Sequence, residues 1–337
     1  MTLSDLFKNQ APVFLSPMAG VTDAPFREAV CSLGASAVVT EMISSEALVR
    51  NSGKTLRRLA GNGKNSLKIV QIMGADPHRM AESAVINEGL GADVIDINFG
   101  CPIRKVVANG SGAALLKNEG FALQIAESVV KSVKIPVTVK MRLGWDSEHI
   151  NCLSLARKLE TAGVSMLTIH CRSRSQMYRG KADWSRIKEL KNILKIPYLC
   201  NGDVKSGDDA LLALKESGAA GISIGRGALG RPWLLKQVME LVQCGRVVPD
   251  PGPTHQHRIV LNHFQSTLDF YGEQHGIRIF RKHFGWYSKG MNGSSAFREV
   301  INRAENIGFI KNYLEDFYEQ RFRDILGERK KQQNAQY

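Results

Sequence analysis

The sequence predicts an α/β fold, an eight-stranded parallel barrel, followed by an all-α helical bundle. Through residue 244 the chain repeats a short apolar run, a break rich in Gly, Asn and Asp, and an amphipathic stretch with helical spacing. This unit occurs eight times, which favours a (β/α)8 or TIM barrel over a doubly wound open sheet. From residue 254 onward the helical periodicity continues without strand-like runs, which indicates a separate helical domain.

The predicted strands are short and β-rich, and each precedes a segment long enough for the returning helix that a parallel pair requires. They are Val13–Ser16, Ser36–Thr40, Lys68–Met73, Asp93–Asn98, Val137–Met141, Met166–His170, Tyr198–Asn201 and Ala220–Gly225. We therefore predict that residues 1–244 form the barrel and that it carries the catalytic site.

Residues 245–253 place three prolines within five residues, so this segment cannot continue a helix and is predicted to be a linker. Four helices are predicted in the domain that follows, residues 254–326. They are Thr254–Gly272, Ile277–Lys289, Ser294–Ala304 and Ile307–Leu326. The polar residues 327–337 are predicted to be a flexible tail.

Composition and charge narrow the class of protein. Hydrophobic residues make up 43% of the 337 residues and charged residues 23%, which permits a sizeable core and argues against wholesale disorder. Lys and Arg number 45 against 32 Asp and Glu, so the net charge is +13. An excess of this size indicates a polyanionic partner such as nucleic acid or an acidic membrane.

Targeting and metal-binding signals are missing from the sequence. It has no apolar run of about 18 to 20 residues and no basic segment followed by an apolar one at the start, so we expect neither a membrane span nor a signal peptide. The six Cys include no CxxC pair, which argues against a zinc site or a disulfide framework. We expect a reduced, cytoplasmic, monomeric protein without a metal.

Polar residues stand at successive strand ends, where the loops of a barrel build the active site. They are Gln71, Asn98, Lys140, His170, Asn201 and Arg226. Gly225 and Arg226 lie in a Gly-rich loop that leads into a helix, and the loops after the last two strands are the usual phosphate site of such barrels. Lys140 and Gln71 suit a flavin, whose N1–C2=O side favours a nearby cation and an amide. FMN fits the phosphate, amide and cation together.

An ordered set of motifs carries a family resemblance. They are Pro17–Asp23 (PMAGVTD), Asn98–Pro102 (NFGCP), Val139–Arg142 (VKMR), Thr168–His170 (TIH), Asn201–Asp203 (NGD) and Gly225–Arg226 (GR). From about residue 10 to 325 the chain resembles the tRNA-dihydrouridine synthases. It is most similar to their bacterial B-type branch, through Gly225–Trp233 (GRGALGRPW) and Arg281–Tyr287 (RKHFGWY).

The resemblance implies an FMN-dependent reduction of the C5=C6 bond of a specific uridine in tRNA, with NADPH or NADH as electron source. By position in the family motifs, the isoalloxazine would be contacted by Pro17, Met18, Ala19, Gln71, Lys140 and His170. The phosphate would be held by Asn201, Gly202, Asp203, Gly225 and Arg226. Cys101 would be the proton donor.

The chemistry gives Cys101 a clear role. A hydride from flavin N5 to C6 leaves enolate character at C5–C4=O, so an acid is needed on the opposite face of the uracil. A thiol with a pKa of about 8.5 is mostly protonated at neutral pH.

Two departures from the family pattern concern neighbouring positions: Phe99 stands where Met is frequent, and Cys171–Arg174 reads CRSR where GRTR is frequent. Cys171 is therefore a second thiol near the site.

Basic stretches without acidic residues indicate where RNA binds. They are residues 50–68, the cluster Arg172, Arg174, Arg179 and Lys181, and residues 274–298, where aromatic residues are interleaved. The substrate and tRNA candidates are Asn98, Arg142, Arg172, Arg174, Arg278, Arg281 and Lys282. Phe280 and Phe284, four residues apart on one helix face, are predicted to be core. We expect an RNA that spans the barrel mouth and the helical domain.

Three alternatives stay open at this stage. The chain could be a flavin barrel that reduces a free small molecule, such as a dihydroorotate or enone reductase, and would then have no use for the basic helical domain. A non-enzymatic RNA-binding regulator could have kept the barrel and would bind no flavin. Lys140 could form a Schiff base, as the strand-end lysine of an aldolase barrel does.

Overall fold

A computed structural model describes residues 2–8, 11–35, 37–49 and 66–334. The chain forms two compact units. The first comprises Met1–Ala228 and Leu234–Val248, and the second comprises Leu229–Trp233 and Pro249–Tyr337. The second unit therefore resumes at Pro249, inside the proline-rich segment 245–253.

The first unit is built on one sheet whose strands are all parallel. The strands are β1 (Val13–Leu15), β2 (Ala37–Val39), β3 (Ile43–Ser44), β4 (Leu67–Met73), β5 (Val94–Phe99), β6 (Val137–Arg142), β7 (Met166–His170), β8 (Tyr198–Asn201) and β9 (Gly221–Ile224). β1 pairs with β9 and with β2, and β2 pairs with β4, so eight strands close into a barrel. The predicted TIM barrel is confirmed. Among the strands that the structure describes, the sequence analysis missed the two-residue β3, which pairs with the end of β4, with Ile43 opposite Ile72.

The helices of this unit follow the strands in the order that the barrel requires. They are α1 (Ala24–Ser32), α2 (Ser45–Val49), α3 (Pro77–Gly89), α4 (Arg104–Ala108), α5 (Glu119–Ser132), α6 (Cys152–Thr161), α7 (Leu190–Ile193), α8 (Gly207–Ser217) and α9 (Leu234–Cys244). Side-chain caps set several starts, because an Asp or Asn oxygen accepts one of the unpaired N–H groups of the first turn. Asp23, Asp76 and Asn118 do so for α1, α3 and α5.

Successive side chains of a strand point to opposite faces of the sheet, so the barrel has one core inside it and another between the strands and the helices. Residues such as Phe14, Ile69, Val94 and Leu199 form a cluster inside the barrel toward the strand starts, where Leu3 of the N-terminal turn joins them. Their neighbours along each strand pack outward against the helices. Apolar residues fill the barrel interior at the strand starts, and polar residues stand at the carboxyl ends of the strands. The candidate site lies at these carboxyl ends.

The second unit is helical. Its helices are α10 (Pro253–Tyr271), α11 (Glu273–Tyr287), α12 (Ser294–Ile301) and α13 (Ile307–Asn334). Phe280 and Phe284 are buried and their rings pack on Phe264, which confirms that they belong to the core. The last helix continues to Asn334, beyond the end at Leu326 that its composition predicts. Within the described ranges, no helix combines the length and the apolar character needed to cross a membrane.

Candidate functional site

Strand register brings five of the predicted site residues together at the carboxyl end of the barrel. Asn98 lies opposite Lys140 in the β5–β6 pair, and His170 lies opposite Asn201 in the β7–β8 pair. Gln71, two residues before the end of β4, reaches Asn98 through its side chain. Gln71, Asn98, His170 and Asn201 are all buried, so the structure places them in a shared polar layer above the apolar core.

A continuous chain of hydrogen bonds runs from the barrel interior to Cys101. The Asp96 carboxylate accepts from Thr138 Oγ1 and from Gln71 Nε2, each at 2.6 Å. Gln71 Oε1 accepts from Asn98 Nδ2 at 2.7 Å. Asn98 Oδ1 then accepts the backbone N–H groups of Gly100 at 3.0 Å and of Cys101 at 2.8 Å.

The orientation of both amides in this chain is set by its two ends. Backbone N–H groups can only donate, so the Asn98 oxygen must face Cys101 and its NH2 group must face Gln71. Gln71 must then direct its own NH2 group to Asp96. Gln71 Nε2 keeps a second N–H, whereas Asn98 Nδ2 also contacts the Met42 sulfur, a weak acceptor, at 3.9 Å. The layer therefore offers N–H groups that suit the carbonyl oxygens of a bound ring.

Asp96 and Thr138 belong to this hydrogen-bond chain, and the sequence analysis missed both. The available signal was a carboxylate in the middle of the apolar run Val94–Phe99. Burial raises the pKa of Asp96 above its usual value, while the hydrogen bonds from Thr138 and Gln71 oppose that shift. Asp96 is buried inside the barrel, where its carboxylate orients the Gln71 amide.

Lys140 is held over the mouth of the barrel by Asn201. Its Nζ donates to Asn201 Oδ1 at 3.2 Å, and Asn201 Nδ2 donates to Ser16 Oγ and to the Ser223 carbonyl. These contacts use the Asn201 side chain inside the barrel, which favours a role in positioning Lys140 over direct contact with a phosphate. Burial, together with the nearby Arg142 cation, lowers the pKa of Lys140 to about 8.

Two arginines predicted to contact RNA are buried instead. Arg142 donates to the carbonyls of Gly100, Ser173 and Met177 at 2.8 to 2.9 Å. Arg172 donates to the carbonyls of Arg179 and Gly180 and pairs with Asp203. Both side chains are at most 2% exposed, which argues against contact with a surface-bound RNA chain. They hold the loops after β5, β7 and β8 in place.

His170 is a neutral imidazole at this position. Burial and then the cations Arg142, Lys140, Arg172 and Arg226 lower its pKa well below the usual value. Arg172 Nη1 lies 3.4 Å from His170 Nε2, and a guanidinium can only donate. Nε2 is therefore the acceptor, and the ring proton sits on Nδ1, which leaves His170 one donor for a ligand.

Cys101 is partly exposed at the start of the loop after β5. Burial raises the pKa of its thiol, whereas the N–H of Ile103 and the cations Arg142 and Lys140 oppose the shift. The thiol is thus protonated at neutral pH but has cations nearby that stabilise a thiolate. The second thiol, Cys171, is buried, and its Sγ lies 3.7 Å from Cys200 Sγ, so it belongs to the interior.

The predicted phosphate corner lies between the loops after β8 and β9. Gly202 and Asp203 have positive φ angles of 124° and 58°. Asp203 accepts from the N–H of Ala182 and lies 3.5 Å from Arg226. The Arg226 guanidinium is half-exposed and sits 4.6 Å from the ring centre of Tyr178, a contact that consumes none of its donors. A Cβ at Gly225 would lie 3.6 Å from side-chain atoms of Ser16 and Met18, an ordinary contact distance.

The loop after β1 supplies the last side of the mouth. Pro17 and Met18 are partly exposed and Ala19 is exposed, as a surface that meets a ring requires. Thr22 Oγ1 accepts the Met18 N–H, and the Glu41 carboxylate accepts the Gly20 N–H. The buried Arg27 donates to the Thr22 carbonyl. Glu41 and Arg27, which the sequence analysis did not single out, thus fix this loop.

The remaining RNA candidates lie nearer the surface. Arg174 is partly exposed, as are Arg281 and Lys282, and Arg278 is exposed on α11. Arg281 Nη2 lies 3.5 Å from the Ala304 carbonyl. Of the basic stretch 50–68, Arg50, Lys54, Arg57, Arg58 and Lys64 lie outside the described residues. The residues that the structure does describe include no group of three or more His, Cys, Asp or Glu that could hold a metal ion.

Comparison with known proteins places this site in a family. The family model described as dihydrouridine synthase matches residues 14–322. A probable tRNA-dihydrouridine synthase of Rickettsia bellii is 44% identical over 91% of this chain and 94% of its own length. The tRNA-dihydrouridine synthase B of Pasteurella multocida is 42% identical over 86% of this chain and 87% of its own.

Solved structures share the fold at much lower identity. A 2-naphthoyl-CoA reductase in complex with 2-naphthoyl-CoA has a TM-score of 0.54 and 14% identity, covering 69% of this chain and 50% of that one. Histamine dehydrogenase from Rhizobium sp. 4-9 has a TM-score of 0.52 and 12% identity, covering 77% and 50%. At these identities the similarity establishes the barrel architecture.

Proposed function

The chain belongs to the dihydrouridine synthase family, and from this premise we propose that it is an FMN-dependent tRNA-dihydrouridine synthase. In this proposal it reduces the C5=C6 bond of a uridine in tRNA, in the cytoplasm, with NADPH or NADH as electron source. The observation that carries the proposal is the hydrogen-bond chain from Asp96 to Cys101, which holds a protonated thiol beside Lys140 at the open end of the barrel.

The donor set of the site fits FMN. A flavin edge presents carbonyl oxygens and ring nitrogens, and the amide layer of Gln71 and Asn98 presents fixed N–H donors. Lys140 provides the cation that suits the N1–C2=O side. Arg226, half-exposed beside the glycine-rich loop, provides a guanidinium for the phosphate, which such loops favour. The partly exposed Pro17 and Met18 and the exposed Ala19 form the surface on the β1 side of the mouth.

The residues divide the reduction between them. FMN held by these residues and reduced by NADPH or NADH would supply the hydride for C6 of the uracil. Cys101 then gives the proton that C5 requires, and burial keeps that proton on the thiol until it is needed. Arg142 and Lys140 stabilise the thiolate that remains.

Other residues position the Cys101 thiol and the uridine without reacting themselves. Asn98 Oδ1 accepts one hydrogen bond from the Gly100 N–H and one from the Cys101 N–H, so a strand residue of the barrel fixes the backbone that carries the thiol. The target uridine must leave its stacking and tertiary contacts to reach this mouth. The neutral His170 offers a donor to its carbonyl oxygens.

The direct test is product formation on the natural substrate class. tRNA from a strain that lacks this gene would be incubated with the purified, FMN-loaded protein and NADPH or NADH, and dihydrouridine would be mapped by mass spectrometry. We expect dihydrouridine to return at one or a few uridines. Failure to form it would contradict the proposal. Reduction of free uracil-like compounds without RNA would indicate the small-molecule reductase, and a protein that binds tRNA but no flavin would indicate the regulator.

A further inference from the structure

Three loops at the rim of the barrel bring two cations onto one tryptophan. Trp145 lies in the loop after β6, Lys117 at the end of the loop after β5, and Arg174 in the loop after β7. Lys117 Nζ is 3.9 Å from the centre of the Trp145 ring, and Arg174 Cζ is 4.4 Å from it. None of the roles derived so far uses Lys117 or Trp145.

The backbone holds this cluster in place. Leu143 donates to the Arg172 carbonyl, and the N–H groups of Arg174 and Ser175 donate to the carbonyls of Gly144 and Trp145, so the loops after β6 and β7 are joined. Gly144 permits the tight turn, since a Cβ there would collide with the His149 carbonyl oxygen. The segment that ends in Lys117 starts beside Cys101, whose carbonyl accepts the Ala113 N–H at 3.1 Å.

The two cations keep their hydrogen-bond donors. A contact with the face of an indole ring fixes a cation electrostatically but uses no N–H group as a conventional donor. Within the described ranges, neither Lys117 nor Arg174 forms an ion pair with an acidic side chain, and Arg174 Nε is buried without a hydrogen-bond partner. The Asp146 carboxylate follows Trp145 in sequence. It already accepts hydrogen bonds from the backbone N–H groups of Glu148 and His149 and contacts the His149 ring.

We propose that Lys117, Trp145 and Arg174 form a phosphate-binding site for the RNA backbone at the rim of the barrel. Two ordered cations with unused donors suit a phosphate group, and the exposed Lys117 and half-buried Trp145 leave the site accessible. Because Trp145 already contacts both cations, its role is to orient them and not to stack on a base. The site positions the strand that delivers the target uridine to Cys101, and in this it rests on the proposed function.

A phosphate could also come from the nicotinamide dinucleotide, so the experiment measures both ligands. The double variant Lys117→Gln/Arg174→Gln would be assayed for tRNA binding over a range of salt concentrations and for KM with NADPH and NADH in flavin reduction without RNA. We expect tRNA affinity at low salt to fall about tenfold and the salt slope to decrease by about one to two, as the loss of one or two phosphate contacts predicts. Flavin reduction and both KM values should stay unchanged.

Matched variants separate the site from net charge and from folding. Lys131→Gln/Lys215→Gln removes the same charge near the ends of α5 and α8, at the opposite face of the barrel, and should keep the wild-type salt slope. Trp145→Phe retains a ring for the cations and should bind tRNA nearly as well as the wild type, whereas Trp145→Ala should resemble the double variant.

The outcomes distinguish the two proposals. An unaltered tRNA affinity and salt slope in the double variant would overturn the phosphate site, as would a defect confined to the KM for NADPH. An equal loss in the Lys131→Gln/Lys215→Gln control would overturn it as well, because the effect would then be one of net charge. If the wild-type protein itself formed no dihydrouridine, the proposed function would fail, independently of what the variants do in binding.

Discussion

At the scale of single residues, the proposed mechanism separates the group that would react from the groups that hold it. Cys101 is the thiol in the open mouth, and its acidity is governed by two opposing effects: burial raises its pKa, and Arg142 and Lys140 lower it. Its backbone position depends on Asn98, Gln71 and Asp96, none of which needs to exchange a proton. A change in Cys101 should therefore affect the chemical step while the site stays assembled.

We expect Cys101→Ala to bind FMN and tRNA with wild-type affinity and to lose dihydrouridine formation by about a hundredfold or more, the usual contribution of a general acid. Reduction of its flavin by NADPH or NADH should be unaffected, since no proton from the thiol enters that step. Single-turnover assays measure the two half-reactions separately. Cys31→Ala, the same change in a partly buried thiol of α1, is the control. Near-wild-type turnover by Cys101→Ala would remove it as the acid.

At the scale of secondary-structure elements, the second unit contains an ionisable core. His263 of α10 and His283 of α11 are buried with their ring centres 4.7 Å apart, and His263 Nδ1 lies 3.0 Å from the Tyr287 hydroxyl. Burial, aided by the Lys282 cation, lowers the pKa of His263 to about 3, and burial lowers that of His283 well below its usual value. Both rings are therefore neutral in the folded protein at neutral pH.

This pair should make the folded protein sensitive to acid. Below pH 6.5 the unfolded chain binds protons on these histidines and the folded chain does not, so the free energy of unfolding decreases as the pH falls. Each histidine contributes a slope of about 1.4 kcal/mol per pH unit well below pH 6.5. Urea unfolding of the full chain at pH 7 and pH 5 measures the loss. His283→Phe should reduce the slope, whereas His255→Phe, at an exposed position of α10, should not. Equal slopes in all three proteins would contradict the prediction.

Elements were predictable from the sequence where the signal is local and periodic. The eight barrel strands follow from apolar runs that end in turn residues, because each strand fills the same kind of environment. β3 has two residues and no periodicity to detect, and the polar end of α13 carries no apolar face that would mark a helix. The burial of Arg142 and Arg172 was not predictable from the sequence. A basic residue at a strand end gives the same sequence signal whether it faces solvent or is buried against loop carbonyls.

At the scale of the whole molecule, the excess positive charge is shared by both units. Residues 254–337 hold 13 basic and 9 acidic residues, a net charge of +4 out of +13, so neither unit alone accounts for the attraction to a polyanion. In the helical unit, residues 274–298 contain no acidic residue. The aromatic residues Phe280, Phe284 and Tyr287 of this stretch are buried in the core, so its basic residues are the RNA candidates. Binding and chemistry should therefore be separable by mutation.

We expect Arg278→Glu on the exposed face of α11 to weaken tRNA binding by about tenfold at low salt and to lower the salt slope, because the variant loses a phosphate contact and adds a repulsive charge. FMN retention and the rate of flavin reduction should equal those of the wild type, since no residue that would hold FMN in our proposal lies on α11. Arg303→Glu makes the same change in charge in the same unit, at an exposed residue paired with Glu299, and should have a smaller effect. Filter binding across salt concentrations, with dihydrouridine formation at saturating tRNA, distinguishes weaker capture from slower chemistry. If Arg278→Glu and Arg303→Glu lowered affinity equally, the effect would reflect the net charge of the unit, and α11 would lose its assignment as a specific RNA contact.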